Sequence, residues 1–68
     1  MDLFENFSNN LKHYLFKMKI SQKEFARRVG VSATCVTKWI LKQHEPTLSN
    51  IVKIIQVLDI SFDDLIAN

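Results

Sequence analysis

The sequence predicts an all-α fold of five short helices, and three observations carry that prediction. A single Gly and a single Pro in 68 residues leave little room for hairpin turns or long loops. The stretches Ser21-Gln22-Lys23-Glu24 and Ser61-Phe62-Asp63-Asp64 both have the form of a capping box. In that motif a hydroxyl accepts a free N–H of the first turn, and an acid three residues on reaches back to the cap. Between and around these starts, apolar residues recur at spacings of three, four and seven, the period of a helix with one buried face.

The first helix is expected from near Phe7 or Ser8 to Lys19, with Phe7, Leu11, Tyr14, Leu15 and Met18 on one side. Phe4 and Phe16 broaden that stripe. Over residues 2–6 the pattern allows either a further helical turn or an arm, but Phe4 and Phe7 are too apolar for a free tail and should pack, on this chain or on a partner. Ser21 then opens a second helix whose apolar face is Phe25, Ala26 and Val29, with Lys23, Arg27 and Arg28 turned away. Gly30 ends it, because a sharp helix stop needs the left-handed backbone that glycine tolerates. Val31 returns to the core and Ser32 caps a third helix, in which Val36, Trp39 and Ile40 face inward. Ala33, Thr34, Thr37 and Lys38 are left outside, with Leu41 at the edge. Leu41 to Glu45 reads as a loop closed by Pro46, and Thr47 caps a fourth helix with Leu48, Ile51, Ile54, Ile55 and Leu58 on its core face. Val52 and Val57 make that helix apolar over more than one side. Phe62, Leu65 and Ile66 give the last short helix its inner face.

Sixty-eight residues, of which 47% are hydrophobic, are read as one domain over 1–68, near the lower limit for a fold held by an apolar core alone. The lone Cys35 has no partner for an internal disulfide and reads as a small filler in a reducing compartment. No apolar run is long enough to span a bilayer, and the acidic start Asp2-Leu3-Phe4-Glu5 does not have the form of a signal peptide. A soluble, cytoplasmic protein is expected. The net charge of +2 conceals an uneven distribution: from Lys12 to His44 there are eight cations against Glu24 alone, while the rest of the chain holds Lys53 against six acids. One basic and one acidic side suit a protein that meets phosphates on one side only; a solvated surface with accidental clustering is the plainer alternative.

The run Ile20-Ser21-Gln22, Phe25-Ala26, Val29-Gly30-Val31-Ser32, Val36 and Trp39, followed by Glu45-Pro46-Thr47, resembles the helix-turn-helix repressors of the lambda-repressor/Cro (XRE) family. The resemblance extends from about Leu11 to Leu65, and its specificity lies in the combination of capping box, turn glycine, buried spacing and a later Pro-Thr helix start. It implies a lambda-repressor-like DNA-binding fold, with helices 2 and 3 as the motif and residues of about 32–41 entering the major groove. A groove about 12 Å wide accepts a helix whose first turns offer donors, acceptors or methyls to base edges. By position, Ala33, Thr34, Thr37 and Lys38 are the expected base contacts: Lys38 can donate to guanine, and the threonines can bond a base edge or touch a thymine methyl. None is Arg, Asn or Gln, so water bridges and DNA shape should carry more of the readout.

In the family a glutamine at the start of the preceding helix clamps a DNA phosphate, and the resemblance implies the same for Gln22. Lys23, Ser32, Lys42, Gln43 and His44 are the further candidate phosphate contacts. Two departures stand out. Where the family has an arginine on the first helix opposite a glutamate after the third helix's aromatic, this chain has Leu15 and Ile40, which reads as an ion pair exchanged for an apolar contact. Where the family has a glycine after the recognition helix, this chain has Lys42, so that helix either runs longer or ends in a strained turn.

The function expected is sequence-specific binding of double-stranded DNA by a transcriptional repressor of phage or mobile-element type. It would act as a homodimer on two-fold related half-sites, without cofactor, metal, small-molecule ligand or membrane. Leu41, Val52, Val57, Phe62, Ile66 and Phe4 are the candidate dimer residues. A second reading keeps the fold but makes it a protein-interaction module, antirepressor- or antitoxin-like. An enzyme is not expected: the chain has no nucleophile–base pair, no paired carboxylates and no phosphate-cradling glycine loop. His44 and His13 read as surface residues and not as metal ligands.

Overall fold

Every helix begins at a side chain that accepts its first free N–H groups. In the computed structural model, which describes residues 2–68, Asp2 caps α1 (Leu3–Met18), Ser21 caps α2 (Gln22–Val29) and Ser32 caps α3 (Ala33–Ile40). Thr47 caps α4 (Leu48–Leu58) and Ser61 caps α5 (Phe62–Ile66). All five expected helices are present, and among the described residues there is no strand. The first starts earlier than its hydrophobic stripe. Asp2 Oδ1 accepts from the N–H of Phe4 at 3.0 Å and of Glu5 at 3.2 Å, so residues 3–6 are helix and not an arm. Of the two capping boxes, the one at Ser61 is complete. At Ser21 only the outward half forms, because the Glu24 carboxylate is taken by Arg27 and Arg28.

Helix ends show what one glycine per chain costs. Gly30 sits at φ 89°, as expected, and nothing lies within 4 Å of where a Cβ would be; the backbone angle, not crowding, is what calls for glycine there. Lys19 (φ 56°), Lys42 (φ 62°) and Asp59 (φ 54°) adopt the same left-handed conformation with side chains attached. Asp tolerates it, whereas the two lysines carry local strain. At Lys42 this resolves the alternative left by the missing glycine: α3 stops at Ile40 and the chain turns sharply, closed by a 2.9 Å bond from the Gln43 N–H to the Lys38 carbonyl.

The core is built from Phe7, Leu11 and Leu15 of α1, Phe25, Ala26 and Val29 of α2, and Val36 and Trp39 of α3, closed by Ile54 and Leu58 of α4 and Leu65 of α5. Helix α1 packs against α5 and α3, α2 against α3 and α4, and α4 against α5. Trp39 is 1% exposed, with the Phe7 ring edge-on at 6.4 Å, and Phe4 stacks on Phe7, so both N-terminal aromatics pack within this chain. Four residues assigned to buried faces by spacing are open instead: Met18, Phe62, Phe16 and Leu48, the last two each 77% exposed. Phe16 and Met18 lie to either side of the line from Phe7 to Leu15, and Leu48 is the first residue of α4.

Polar side chains with no hydrophobic signature fasten the helices together. Ser8, 1% exposed, donates its hydroxyl to the Trp39 carbonyl at 2.6 Å, supplying a partner at the end of α3 where helical ones run out. Asn10 donates to the carbonyls of Leu65 and Ala67, and Asn6 to that of Ile66. Helix α5 has only five residues and is too short to stand alone; α1 holds its C-terminal end.

Candidate nucleic-acid interface

The turn at Gly30 brings the start of α2 against the side of α3. On the outside of α3, Ala33, Thr34 and Lys38 are exposed and Thr37 is half-buried. Val36 and Trp39, one step round the helix, are fully buried and fix its rotation. Of the four side chains expected to read bases, Ala33, Thr34 and Lys38 therefore share an outward face, with Thr37 at its edge toward α2. Gln22, the first residue of α2, joins them: the Thr37 hydroxyl lies 2.7 Å from Gln22 Oε1 and 3.1 Å from the Ala33 carbonyl. Spacing gave no sign of that link, since the two residues stand fifteen apart in the chain.

The other residues expected at phosphates, Lys23, Ser32, Lys42, Gln43 and His44, are all exposed. Ser32 already has a structural task, its hydroxyl oxygen accepting from the Cys35 N–H at 3.1 Å; its own proton is free to donate outward. Lys42, Gln43 and His44 stand on the sharp turn after α3.

Cations in the basic stretch are not equivalent. Glu24 pairs with both Arg27 and Arg28. The hydrogen bonds from Arg27 and then from Arg28 hold its carboxyl down at about 2, and the same bond raises Arg27. One carboxylate offsets one of the two arginine charges, so the three side chains together keep a single positive charge. Among the described residues no lysine forms an ion pair, so the lysines add their full charge to that remaining one. Lys12 and Lys19 line a shallow depression of about 420 Å³ together with Gln22, Leu15 and Ile40. Leu15 is buried and Ile40 packs half-buried on the same core, without a charged partner for either.

Apolar surface gathers elsewhere. Leu3, Phe4, Pro46, Ile51, Phe62 and Ile66 form a groove of about 150 Å³ with Glu45 on its rim. Of the residues expected at a dimer contact, Leu41, Val52 and Phe62 are exposed, while Phe4, Val57 and Ile66 are half-buried. Among the described residues no helix is long and apolar enough to cross a membrane, and no three His, Cys, Asp or Glu side chains cluster as a metal would need.

Residues 11–65 match the family described as helix-turn-helix, the span over which the motif resemblance runs. An uncharacterized HTH-type transcriptional regulator of Haemophilus influenzae is 32% identical over 59 residues, which are 87% of this chain and 24% of that protein. The uncharacterized HTH-type transcriptional regulator YqaE of Bacillus subtilis is 32% identical over 60 residues, 88% of this chain and 52% of that protein. The chain thus spans about a quarter and about half the length of these curated relatives. Among solved structures, a hypothetical transcription factor from Neisseria superposes with a TM-score of 0.89 at 29% identity, over 97% of this chain and 76% of that one. The SOS-response transcriptional repressor LexA from Eubacterium rectale does so with the same TM-score at 27% identity, over 97% and 70%.

Proposed function

This chain belongs to the helix-turn-helix family, and from that premise we propose that it is a sequence-specific DNA-binding repressor of transcription, acting in the cytoplasm. The exposed face of α3 enters the major groove, with Ala33, Thr34 and Lys38 at base edges and the half-buried Thr37 beside them. Gln22, Lys23, Ser32, Lys42, Gln43 and His44 hold the flanking phosphates. The observation that carries this reading is the juxtaposition on one surface of small, hydrogen-bonding and cationic side chains of α3 with the amide of Gln22 at the start of α2. Phosphate contacts of that kind fix register, while base contacts confer specificity. The protein acts as a homodimer, because one half-site gives a chain this small little area on DNA, and two half-sites a helical turn apart multiply the contacts. Exposed Leu41, Val52 and Phe62 supply apolar surface for that association.

A protein-interaction role is the second reading, and the groove between Leu3, Pro46, Ile51 and Phe62 is the observation that favours it. Salt separates the two. Selection from random duplexes at about 0.1 M salt is expected to enrich one sequence, and affinity for it to fall at least about tenfold between roughly 50 and 200 mM salt as counterions are released. No enrichment, or an affinity indifferent to salt, would discard DNA binding in favour of an apolar protein contact.

A further inference from the structure

We infer that Thr37 is a positioning residue: its hydroxyl holds the Gln22 amide so that the amide's N–H groups face a DNA phosphate, and it acts on DNA through Gln22 instead of through a base. The inference rests on the proposed DNA-binding reading and goes beyond it by giving this one hydroxyl a different task.

The geometry supplies the argument. Thr37 Oγ1 lies within hydrogen-bond reach of two acceptors, Gln22 Oε1 at 2.7 Å and the Ala33 carbonyl at 3.1 Å. A hydroxyl has a single proton, and the shorter contact is the one to Gln22. Donation there occupies the amide oxygen and leaves both N–H donors of Gln22 free. A phosphate only accepts hydrogen bonds, so an amide whose oxygen is turned inward presents it with donors and no competing lone pair. An untethered glutamine would present either end and would lose side-chain entropy on binding; a tethered one has lost most of it already. Half-burial of Thr37 fits this task better than base reading, since its hydroxyl points across to α2 and not along the outward line of Ala33, Thr34 and Lys38. Because Gln22 opens α2 and Thr37 lies on α3, the bond also couples the phosphate clamp to the reading helix.

The test compares wild type, Thr37→Val, Thr37→Ser, Gln22→Ala and the double variant Gln22→Ala/Thr37→Val on the selected duplex and on a set with single base-pair changes. A further set of duplexes carries one neutral methylphosphonate at each position in turn. Valine keeps the shape of threonine without the hydroxyl, and circular dichroism checks that each variant is folded. Thr37→Val is expected to weaken all duplexes alike, by roughly tenfold for the loss of one charge-assisted bond, leaving base preference unchanged. Thr37→Ser should restore binding, and the double variant should bind no worse than Gln22→Ala. Wild type should lose affinity at one particular methylphosphonate to which Thr37→Val is indifferent. A change of preference at one base pair in Thr37→Val, or effects that add in the double variant, would overturn the inference while leaving DNA binding intact. Failure of wild type to bind any duplex would overturn the reading beneath it.

Discussion

Leu15→Arg alone is expected to destabilise the protein by about 3–5 kcal/mol, and Leu15→Arg/Ile40→Glu to recover at least half of that loss. Leu15 is 5% exposed, and the depression it lines carries Lys12 and Lys19. A guanidinium placed there meets two like charges and no acid, so it either stays buried unpaired or forces the packing around Ile40 apart. Total stability for 68 residues is of the order of 3–10 kcal/mol, which would leave the single variant close to unfolding at room temperature. Glutamate at position 40 supplies the missing partner and restores the pair that the family usually has at these two positions. Urea midpoints at constant slope measure both effects; an unchanged midpoint in the single variant, or no recovery in the double, would show that Leu15 and Ile40 do not share one site.

Lys38→Ala is the second large effect, on binding instead of folding. Lys38 is exposed on α3, free of any ion pair, and its helix is fixed in rotation by Val36 and Trp39 beneath it. If it donates to guanine O6 and N7, its loss should cost about 1–3 kcal/mol on the selected duplex and abolish preference at a single base pair. Uniform weakening across all sequences would move Lys38 to the phosphates and leave readout to the methyl groups of Ala33 and Thr34 and to DNA shape.

Helix number and the inner faces of α2 and α3 could be read from the sequence because they rest on local physics. Ser21, Ser32, Thr47 and Ser61 cap where their hydroxyls predict, and Gly30 takes the backbone angle that only glycine adopts freely. What escaped has no local signature. Asp2 extends α1 over residues that apolar spacing left undecided, since a cap states where a helix starts and periodicity only where it is buried. Phe16, Met18 and Leu48 satisfy helical spacing yet stay open, because spacing says which side of a helix is apolar and not how wide the covering neighbours are. Ser8, Asn6 and Asn10 look like ordinary polar residues until tertiary packing sets them opposite the ends of α3 and α5. The same holds at the interface. The outward set from Ala33 to Lys38 follows from where Val36 and Trp39 must point, whereas the bond between Thr37 and Gln22 depends on how two helices cross, and Glu24's capture of Arg27 and Arg28 on which of two partners a carboxylate prefers.

Dimethyl sulfate interference on the selected duplex tests the central claim most directly, because the reagent methylates guanine N7 in the major groove and adenine N3 in the minor groove in one experiment. With α3 seated against base edges, N7 methyl groups at the centre of each half-site should block binding and N3 methyl groups there should not. Blockage from the minor groove alone, or from neither, would contradict the placement of Ala33 to Lys38 in the major groove.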